Sequence, residues 1–361
     1  MYTNAENQQI YTREEIEKMK EQGLYNTDGT FRSDRQIKRD MALRGELPTL
    51  QRLSPVAQPK EIDDYLRAAE ERSSQMKELS QKSENEIKVF LPRTSNIHIM
   101  GDLHIGNPNT DYRRIRQEIE AIKNSPDEYI FFAGDLVDGI FWGGAGGAEQ
   151  SLNLNEQFGA LRSLFKGLGD KIIGAVSGEH DSKWSNKTGS DPYDILTEET
   201  GAPYVRGIAE VSLEVGDQDY TMVVSHKAKG HSMYNKNHPT FRQARFNLQG
   251  ADIYASAHTH QKQVSQEAIR EIGKARQVTH ISVGPYKSGD EYGQRSGYPE
   301  QKKEEMFGAT VRLHADQKRV EVEPDILFAI KKWGWQQMKE IKNVNLYWLQ
   351  ESKKNIQTSL D

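Results

Sequence analysis

Acidic and histidine side chains follow several apolar runs of this sequence, at the points where predicted strands end. The motifs are GDLH (101–104), GDLVD (134–138), GEHD (178–181), SH (225–226) and AHTH (257–260). Because ligands gather at the carboxyl edge of the strands in α/β sheets, we expect these side chains to converge. Carboxylate and imidazole ligands without cysteine suit divalent ions such as Mn, Fe or Zn, rather than a structural zinc site.

Each motif alone has an ordinary structural explanation. A lone D-x-H or H-x-H pair is only a weak indication of metal binding. GDLVD could be a turn whose aspartates accept backbone N–H groups, and EHD at 179–181 could cap a helix. Five such motifs in order at strand ends are much harder to explain as turns, so we favour a shared metal site.

The elements that must position these motifs alternate between strands and helices from residue 87 onward. Strands are predicted over 87–92, 96–101, 128–134, 171–177, 251–258 and 276–284, and helices over 111–124, 154–169, 191–201 and 241–250. Hairpins are predicted over 209–226 and 308–324. This order predicts a layered α/β domain in which the sheets lie between helices.

The composition excludes several classes of protein. The chain of 361 residues contains no cysteine, which removes disulfides and thiolate chemistry and suits a reducing compartment. No apolar run approaches the roughly 20 residues that span a bilayer, and the N-terminus lacks a secretion signal. We therefore expect no membrane association and a cytoplasmic location. The net charge of −5 does not by itself indicate a nucleic-acid binder, although it leaves room for local basic patches.

Taken in order, the five motifs resemble the pattern of the calcineurin-like metallophosphoesterase family: D-x-H, GD-x-x-D, GNH(D/E), a lone His and GH-x-H. The resemblance spans roughly residues 95 to 285. It implies a fold of two facing mixed β-sheets flanked by helices, a four-layer α/β sandwich. It also implies two divalent metal ions, with Mn favoured and Fe, Zn or Mg as alternatives. Residues 111–124, 178–205 and 241–260 also resemble phage-encoded members, which would act in the cytoplasm of a bacterial host.

The resemblance implies roles for the residues of the first metal site. Asp102, His104 and His260 would bind this ion, and Asp135 would bridge the two ions. Asp138 would steady the loop. Two cations about 3.5–4 Å apart can share a hydroxide, lower its pKa and hold the non-bridging phosphate oxygens for an in-line attack.

The remaining motif residues are expected around the second ion. His226 and His258 would bind it, together with Glu179 at the position where the family pattern has Asn. His180 would stabilise the phosphoryl oxygens or protonate the leaving group. Asp181 would orient His180.

Glu179 is the main departure from the family pattern. Glu is anionic and one methylene longer than Asn, so a ligand role would lower the positive charge of the site. We expect this change to favour phosphodiesters over dianionic monoesters. Two alternatives stay open: Glu179 turns away and a water takes its place, or the site is catalytically impaired. Ala257 in place of Gly is a minor departure, and His231 is the one rival to His226 as a ligand.

The chain is expected to contain three regions. These are a helical N-terminal extension (1–85), a metallophosphoesterase domain (86–326) and a basic, aromatic helical tail (327–361). Within the extension, helices are predicted over 12–22, 31–50 and 60–86.

The substrate is predicted from basic residues that lie among aromatic ones. The stretches 31–53 and 331–354 combine them as single-strand nucleic-acid surfaces do, although tail helices more often dock their aromatics on their own domain. Lys183 and Trp184, just after GEHD, could contact a nucleotide. We therefore expect a nuclease-like phosphodiesterase acting on DNA or RNA, similar to the family's repair-nuclease branch. The alternatives are an enzyme for a small phosphoester, such as a cyclic nucleotide, or for a phosphoprotein, and a non-catalytic binding scaffold. A homodimer is one open expectation for its assembly.

Overall fold

The computed structural model describes residues 2–3, 10–11, 62–81, 85–140, 150–189, 191–230, 232, 234–271, 274–289, 297 and 300–334. The helices predicted over 12–22 and 31–50, the basic stretch 31–53, His231 and residues 335–354 of the tail lie outside these residues. The helix predicted over 60–86 is present, with narrower bounds.

The described strands are, in chain order, β1 (Tyr2–Thr3), β2 (Ile10–Tyr11), β3 (Glu86–Leu91), β4 (Ser95–Met100), β5 (Glu128–Phe132), β6 (Ile172–Val176), β7 (Tyr204–Val205), β8 (Ile208–Val215), β9 (Gln218–Ser225), β10 (Ile253–Ser256), β11 (Gln263–Glu271), β12 (Lys274–Ser282), β13 (Ala309–Leu313) and β14 (Val320–Glu323). β1 and β2 pair with each other, antiparallel. The other strands form the two main sheets.

The described helices are α1 (Ile62–Gln81), α2 (Tyr112–Asn124), α3 (Leu154–Leu168), α4 (Glu179–Thr188), α5 (Pro192–Thr200) and α6 (His238–Arg242). A π-helical turn over Gln243–Asn247 continues α6, and residues 326–334 form a further helix as far as the structure describes it. None of the described helices is both long enough and apolar enough to cross a membrane.

Two mixed six-stranded sheets form the body of the fold. Sheet I has the order β11-β12-β10-β9-β8-β3, and sheet II has the order β14-β13-β4-β5-β6-β7. β9, β10 and β12 are parallel neighbours in sheet I, as are β4, β5, β6 and β7 in sheet II. Each set therefore brings its carboxyl ends to one edge of its sheet, where the motifs begin. The predicted α/β sandwich of two facing mixed sheets flanked by helices is confirmed.

An apolar layer between the two sheets holds them face to face. In β3, an outer strand of sheet I, alternate residues are buried, and Ile87 and Val89 belong to this layer. In β4, near the centre of sheet II, every residue is buried. Ile97 and Ile99 face the layer between the sheets, whereas Met100 packs in a second apolar layer that contains residues of α2 and α3. Each fully buried aliphatic side chain stabilises the fold by about 1.5–3 kcal/mol.

Capping residues explain why two of the helices begin where the sequence predicts. At the start of α2, the Asp111 carboxylate accepts a hydrogen bond from Arg114 N at 2.9 Å. At the start of α5, Asp191 accepts from Tyr193 N at 3.0 Å, and a proline follows Asp191 at the first helical position. Each carboxylate satisfies a backbone N–H that has no partner inside the helix. Gly201 ends α5 with a φ of +68°, a conformation that glycine adopts without strain.

Some elements differ from the prediction. β7 and β11 were not predicted; the sequence of β11, QVSQEAIRE, is largely polar, and the strand lies at the outer edge of sheet I. The helix expected over 241–250 begins earlier, at His238, and widens into the π-helical turn. α4 begins directly at Glu179, so the EHD triplet lies in the first turn of a helix.

One aromatic residue of the predicted tail packs on the domain itself. Trp333 is completely buried, and the guanidinium of Arg312 lies 5.6 Å from the centre of its ring. This arrangement matches the expectation that tail aromatics dock on their own domain. Trp333 therefore packs beside β13 of sheet II.

Candidate metal centre

The motif loops meet where the carboxyl edges of the two sheets approach each other. Within sheet II, Asp102 N donates to Gly134 O at 2.9 Å, so the loops after β4 and β5 lie side by side. Between the sheets, His226 Nδ1 donates to Ala133 O at 2.9 Å, and His258 N donates to Asp102 Oδ2 at 2.9 Å. These contacts join residues from both sheets into one polar cluster.

The first group of candidate ligands is Asp102, His104 and His260. Their ligand atoms all lie within 4.8 Å of one another. The Nε2 atoms of His104 and His260 face each other at 3.2 Å, and Asp102 Oδ1 lies 3.8 Å from His260 Nε2. Asp102 Oδ1 is buried and makes no hydrogen bond to a described residue. Two imidazole nitrogens and an unpaired carboxylate oxygen directed at one point are a fitting donor set for a divalent cation.

The second group of candidate ligands is Asp135, His226 and His258. His226 Nε2 lies 3.1 Å from Asp135 Oδ2, yet this buried nitrogen makes no hydrogen bond of good geometry within the described part of the chain. Because the other nitrogen of His226 donates to a backbone carbonyl, Nε2 carries the lone pair that can bind a metal. Asp135 also belongs to a third group, with His104 and His180. This third group shares His104 with the first group and Asp135 with the second, so Asp135 lies where it could contact ions at both.

The acid–base properties of the cluster reflect its burial and its dense charge. Burial raises the pKa of Asp102 to about 7, although the neighbouring His226 opposes the shift. Burial also acts on Asp135, but His226 outweighs it and holds the pKa of Asp135 well below its ordinary value. For His226, burial lowers the pKa, whereas Asp135 and Asp102 raise it to about 10. A bound cation would replace the proton on His226, since a metal ligand must be deprotonated.

Most of the candidate ligands have a left-handed backbone that residues other than glycine rarely adopt. The φ angles are +51° at Asp102, +46° at His104, +51° at Asp135, +68° at His258 and +53° at His260. Each such conformation costs about 1–2 kcal/mol. It persists only where the surrounding fold leaves the chain no alternative, and such strain clusters at functional sites.

A glycine allows two of these loops to approach closely. A Cβ atom at Gly178 would lie 2.0 Å from Asp135 Oδ1 and 2.1 Å from Asp135 N. No side chain fits at this position without moving the central ligand. Gly178 in the GEHD motif is therefore required by the geometry of Asp135.

Asp138 supports the first site by holding one of its ligands. Its Oδ1 lies 3.0 Å from His104 Nδ1, and both side chains are fully buried or nearly so. Its Oδ2 accepts from Gln150 Nε2 at 2.6 Å and Asn107 Nδ2 at 3.2 Å, while Lys287 Nζ lies 3.7 Å from Oδ1. Neither Asp138 Oδ1 nor His104 Nδ1 makes a hydrogen bond of good geometry among the described residues, but a carboxylate this close to Nδ1 favours the ring form whose Nε2 lone pair can bind a metal. This contact gives Asp138 a more specific position than the structural role predicted from the sequence.

His180 lies beside the bridging ligand. Its backbone N–H donates to Asp135 Oδ1 at 2.8 Å, and its ring lies 4.8 Å from that of His104. The Nδ1 atom of His180 donates to Asp138 O at 2.5 Å. Because a carbonyl can only accept, Nδ1 carries a hydrogen and Nε2 is the nitrogen that can act on a substrate.

Asp181 does not take the position expected for it. Its Oδ2 accepts from Gly178 N at 3.0 Å, Asp135 N at 2.8 Å and the Tyr193 hydroxyl at 2.8 Å. The predicted contact with the His180 ring is not among its hydrogen bonds. The reason is the start of α4 at Glu179: neighbouring residues of a helix point about 100° apart. Asp181 therefore supports the backbone of the bridging ligand instead of orienting His180.

Glu179 lies at the rim of the second group. It is absent from the three ligand groups found among the described residues. Its Oε2 lies 3.9 Å from His258 Nδ1, and its two oxygens lie 3.5 Å from Lys183 Nζ and Lys227 Nζ. Partial burial would raise the pKa of Glu179, but His258 and Lys183 hold it below its ordinary value. The carboxylate is thus ionised and close enough to influence the second site.

Trp184 is not available to a substrate in the way the sequence suggests. It is buried, and its ring lies 4.4 Å from the ring of Phe158. Lys183, by contrast, is exposed. Because these two residues are neighbours on α4, one faces the domain and the other faces solvent.

The residues that surround Asp138 were not predicted from the sequence. Gln150, Asn107 and Lys287 belong to no motif, and they come from three separate loops. The only sequence signal is weak: a lysine follows the predicted strand 276–284 by three residues. Burial of Lys287, which is 4% exposed, could not be inferred from that position.

Comparison with known proteins adds little beyond the fold. No protein-family model matches the chain, and no curated protein sequence matches it. Solved structures that match include vacuolar protein sorting 29 from Cryptosporidium parvum, with 14% identity over 64% of this chain and 97% of that chain and a TM-score of 0.33. The calcineurin-like phosphoesterase YfkN from Bacillus subtilis has 10% identity over 65% and 91%, with a TM-score of 0.35. The nuclease MPE from Pseudomonas putida has 13% identity over 63% and 87%, with a TM-score of 0.29.

The class of fold follows from the chain's own architecture. Two mixed six-stranded sheets carry the motif loops at their carboxyl edges, and the loops form overlapping groups of divalent-metal ligands. This is the arrangement that the resemblance to calcineurin-like metallophosphoesterases implies. At identities of 10–15%, the similar structures assign no activity to this chain.

Proposed function

We propose that this protein is a divalent-metal-dependent phosphodiesterase that hydrolyses nucleic acid. The observation that carries the proposal is a pair of candidate ligand groups that a third group, with His104, Asp135 and His180, connects. One group has Asp102, His104 and His260, and the other has Asp135, His226 and His258. When bound, two divalent ions would supply an activated water and neutralise the phosphoryl oxygens. Mn²⁺ is the proposed ion, since carboxylate and imidazole ligands suit it.

The residues around the ligands have separable tasks in this proposal. Asp138 holds the His104 ring, and Asp181 holds the backbone of Asp135. His180, fixed through Nδ1, directs Nε2 toward the phosphoryl group. A protonated His180 would give its Nε2 proton to the leaving oxygen as the ester bond breaks, which offsets the charge that develops there.

Glu179 is proposed to bias the site toward diesters. Its ionised carboxylate lies beside His258, where the family pattern has a neutral amide. A phosphomonoester carries a second negative charge that this carboxylate would repel, whereas a diester carries only one. Lys183 and Lys227 compensate part of the charge of Glu179, so the effect is on selectivity rather than on metal binding alone.

The test of the function compares the wild type with Asp135→Asn in the hydrolysis of bis(p-nitrophenyl) phosphate with added Mn²⁺. Asp316→Asn is the matched control, because this exposed aspartate lies in the hairpin turn between β13 and β14, at the opposite edge of sheet II. We expect turnover in the wild type and the control, and a loss of at least about 10³-fold in Asp135→Asn. Absence of turnover in the wild type with metal bound would favour a non-catalytic binding protein.

The test of selectivity compares Glu179→Asn and Glu179→Gln with the wild type. Rates are measured on bis(p-nitrophenyl) phosphate and on p-nitrophenyl phosphate, beside Mn²⁺ affinity by calorimetry. We expect the ratio of diester to monoester rates to fall in both variants. An unchanged ratio and an unchanged metal affinity would remove Glu179 from the proposal.

A further inference from the structure

A basic and aromatic surface lies on α6 and its π-helical turn. It consists of Arg242, Arg245 and Phe246, which we call the Arg–Phe face. Phe246 is 69% exposed, which is unusual for a large apolar side chain in the described part of the fold. The guanidinium of Arg242 lies 5.5 Å from the centre of the Phe246 ring. An exposed ring with a guanidinium beside it offers both a stacking plane and positive charge.

The helical segment packs on the domain without using Phe246. The opposite side of the same segment is buried through Thr240, Gln243 and Ala244. Phe241 stacks on His280 with ring centres 4.0 Å apart. The segment therefore has its own packing face, and Phe246 is left on the solvent side as a separate feature.

The Arg–Phe face is continuous with the metal centre. Gln243 Nε2 donates to Ser225 Oγ at 2.8 Å, and Ser225 directly precedes the ligand His226. The loop that leaves His226 then packs on the face: a Cβ atom at Gly230 would lie 2.5 Å from Arg242 Cδ. Four residue steps separate His226 from Gly230, a span of at most about 14 Å. A strand of a few nucleotides can cover this distance.

The chain between His226 and the Arg–Phe face carries several positive charges. Lys227 and Lys229 are both exposed on the connecting loop, and Arg245 continues the line on the helix. Glu267 approaches Arg245 at 4.0 Å and neutralises part of its charge. Because the whole chain has a net charge of −5, this row of cations is a local feature and not a consequence of composition.

A groove of about 490 Å³ opens beside the face. Its lining includes the charged side chains of Arg245, Glu267 and Arg276, together with Ala268 and Ile269, which offer apolar contact. A volume in this range accommodates a planar heterocycle with its polar edge.

From these observations we propose that the Arg–Phe face binds single-stranded nucleic acid and leads it along the Lys227–Gly230 loop into the metal centre. Phe246 would stack with an unpaired base, and Arg242 and Arg245 would contact backbone phosphates. Single strands are favoured over duplexes, because only an unpaired base can lie flat on an exposed ring. The identity of this surface as a substrate path rests on the proposed function, whereas its binding of nucleic acid can be measured independently.

The binding test uses fluorescence anisotropy in EDTA, so that no turnover occurs. The probes are labelled oligothymidylate and oligouridylate of about 20 nucleotides, longer than a typical single-strand site. The variants are Arg242→Gln with Arg245→Gln, and Phe246→Ala. The matched control is Arg113→Gln with Arg116→Gln, a pair of exposed arginines on α2, which packs against the other sheet. Phe246→Trp is the conservative variant, since it retains a stacking plane.

We expect about 10-fold weaker binding for Phe246→Ala, since one base stack is worth about 1–3 kcal/mol, and wild-type affinity for Phe246→Trp and for the control. The double arginine variant should reduce the slope of log affinity against log salt by about 1.4, or about 0.7 for each lost phosphate contact. Comparison of the two probes shows whether DNA or RNA is preferred. A competing duplex should bind more weakly than a single strand.

The proposal is overturned if the wild type binds neither probe, if the face variants and the α2 control lose affinity equally, or if a duplex binds as tightly as a single strand. Hydrolysis of bis(p-nitrophenyl) phosphate separates this outcome from failure of the proposed function. We expect that rate to be unchanged in all face variants. A wild type without turnover but with face-dependent binding would overturn the nuclease function and leave the binding surface standing.

Discussion

The apolar layer between the sheets and the metal centre at their carboxyl edge are formed by the same strands, only a few residues apart. In β4, Ile97 and Ile99 are fully buried in extended backbone. Two residues beyond the strand, Asp102 is just as deeply buried, but it has a φ of +51° and an unpaired Oδ1. The packed strands thus supply the rigidity that holds the ligand loops at the carboxyl edge. Strained ligands stay in place because the packed sheets leave their loops no room to relax.

The two regions also have opposite effects on the stability of the fold. Of the seven non-glycine residues with positive φ among those described, five are candidate metal ligands. Burial between the sheets stabilises the fold, whereas the backbone of the ligands destabilises it. Substitutions in the apolar layer should therefore change mainly the free energy of unfolding, whereas substitutions at the ligands should change mainly metal binding.

The largest expected effect is on stability, from the layer between the sheets. Phe131 is fully buried there, and its ring packs so closely that a Cβ at Gly174 would approach it to 2.9 Å. Phe131→Ala should lower the free energy of unfolding by about 3–5 kcal/mol, because it removes buried area and leaves a cavity. Urea denaturation measures the change, and calorimetry should show the same number of bound Mn²⁺ ions as in the wild type.

Phe328→Ala is the control, since this phenylalanine is 55% exposed. Its effect should stay within about 0.5 kcal/mol. If Phe131→Ala is folded but has lost an ion, the two regions are coupled more tightly than the comparison assumes.

The next largest effect is expected on metal binding, when a residue that contacts a ligand is replaced. Asp138→Asn removes the carboxylate 3.0 Å from His104 Nδ1. Loss of this orientation should weaken Mn²⁺ binding by about 10–100-fold. Gln150→Ala removes one donor to Asp138 and should have a much smaller effect. Both affinities are measured by calorimetry, and equal values for wild type and Asp138→Asn would show that His104 is held by packing alone.

A smaller effect, opposite in sign, is expected from the strained backbone. His260→Gly removes the cost of a φ of +53° and should raise the free energy of unfolding in EDTA by up to about 1 kcal/mol, while metal binding is lost. His314→Gly is the matched control, because His314 is not among the residues with positive φ. There the added flexibility should lower stability by about 0.5–1 kcal/mol. Destabilisation of both variants would show that the ligand loops hold no releasable strain.

The smallest expected effect concerns pH and lies in sheet I, away from the ligands. Burial holds the pKa of His280 below its usual 6.5, although its contact with Glu267 at 3.1 Å opposes the shift. In the unfolded chain this histidine binds a proton below about pH 6.5, whereas in the folded chain it stays neutral to lower pH. Stability should therefore fall as pH decreases through that range.

His280→Gln tests this prediction, because glutamine keeps a polar side chain that does not titrate. The loss of stability between about pH 7 and pH 5 should be smaller in the variant than in the wild type. Urea denaturation at each pH gives the two slopes. Identical slopes would show that His280 does not contribute to the acid sensitivity of the fold.

The elements predicted most accurately are those whose formation depends only on neighbouring residues. Strand ends, the starts of two helices and the hairpin over 209–226 were placed within a few residues, because the caps Asp111 and Asp191 and the turn at Gly216 act on their own neighbours. The prediction failed for β11, whose polar pattern only becomes a strand when β12 pairs with it. A helix start at EHD was considered as an alternative, but the metal-site interpretation was favoured, and the direction of Asp181 was therefore predicted wrongly.

The chemistry available at the metal centre can be read from the order of residues alone: which strands end in carboxylates and imidazoles, and in what order. That information is local, because the residue type and the end of the strand lie within the same few positions. The tertiary structure alone decided which ligands share Asp135, that Asp181 supports Asp135 rather than His180, and that Asp138 and Lys287 lie beside His104. These contacts join segments far apart in the chain, so they exist only once the two sheets have packed and brought their carboxyl edges together.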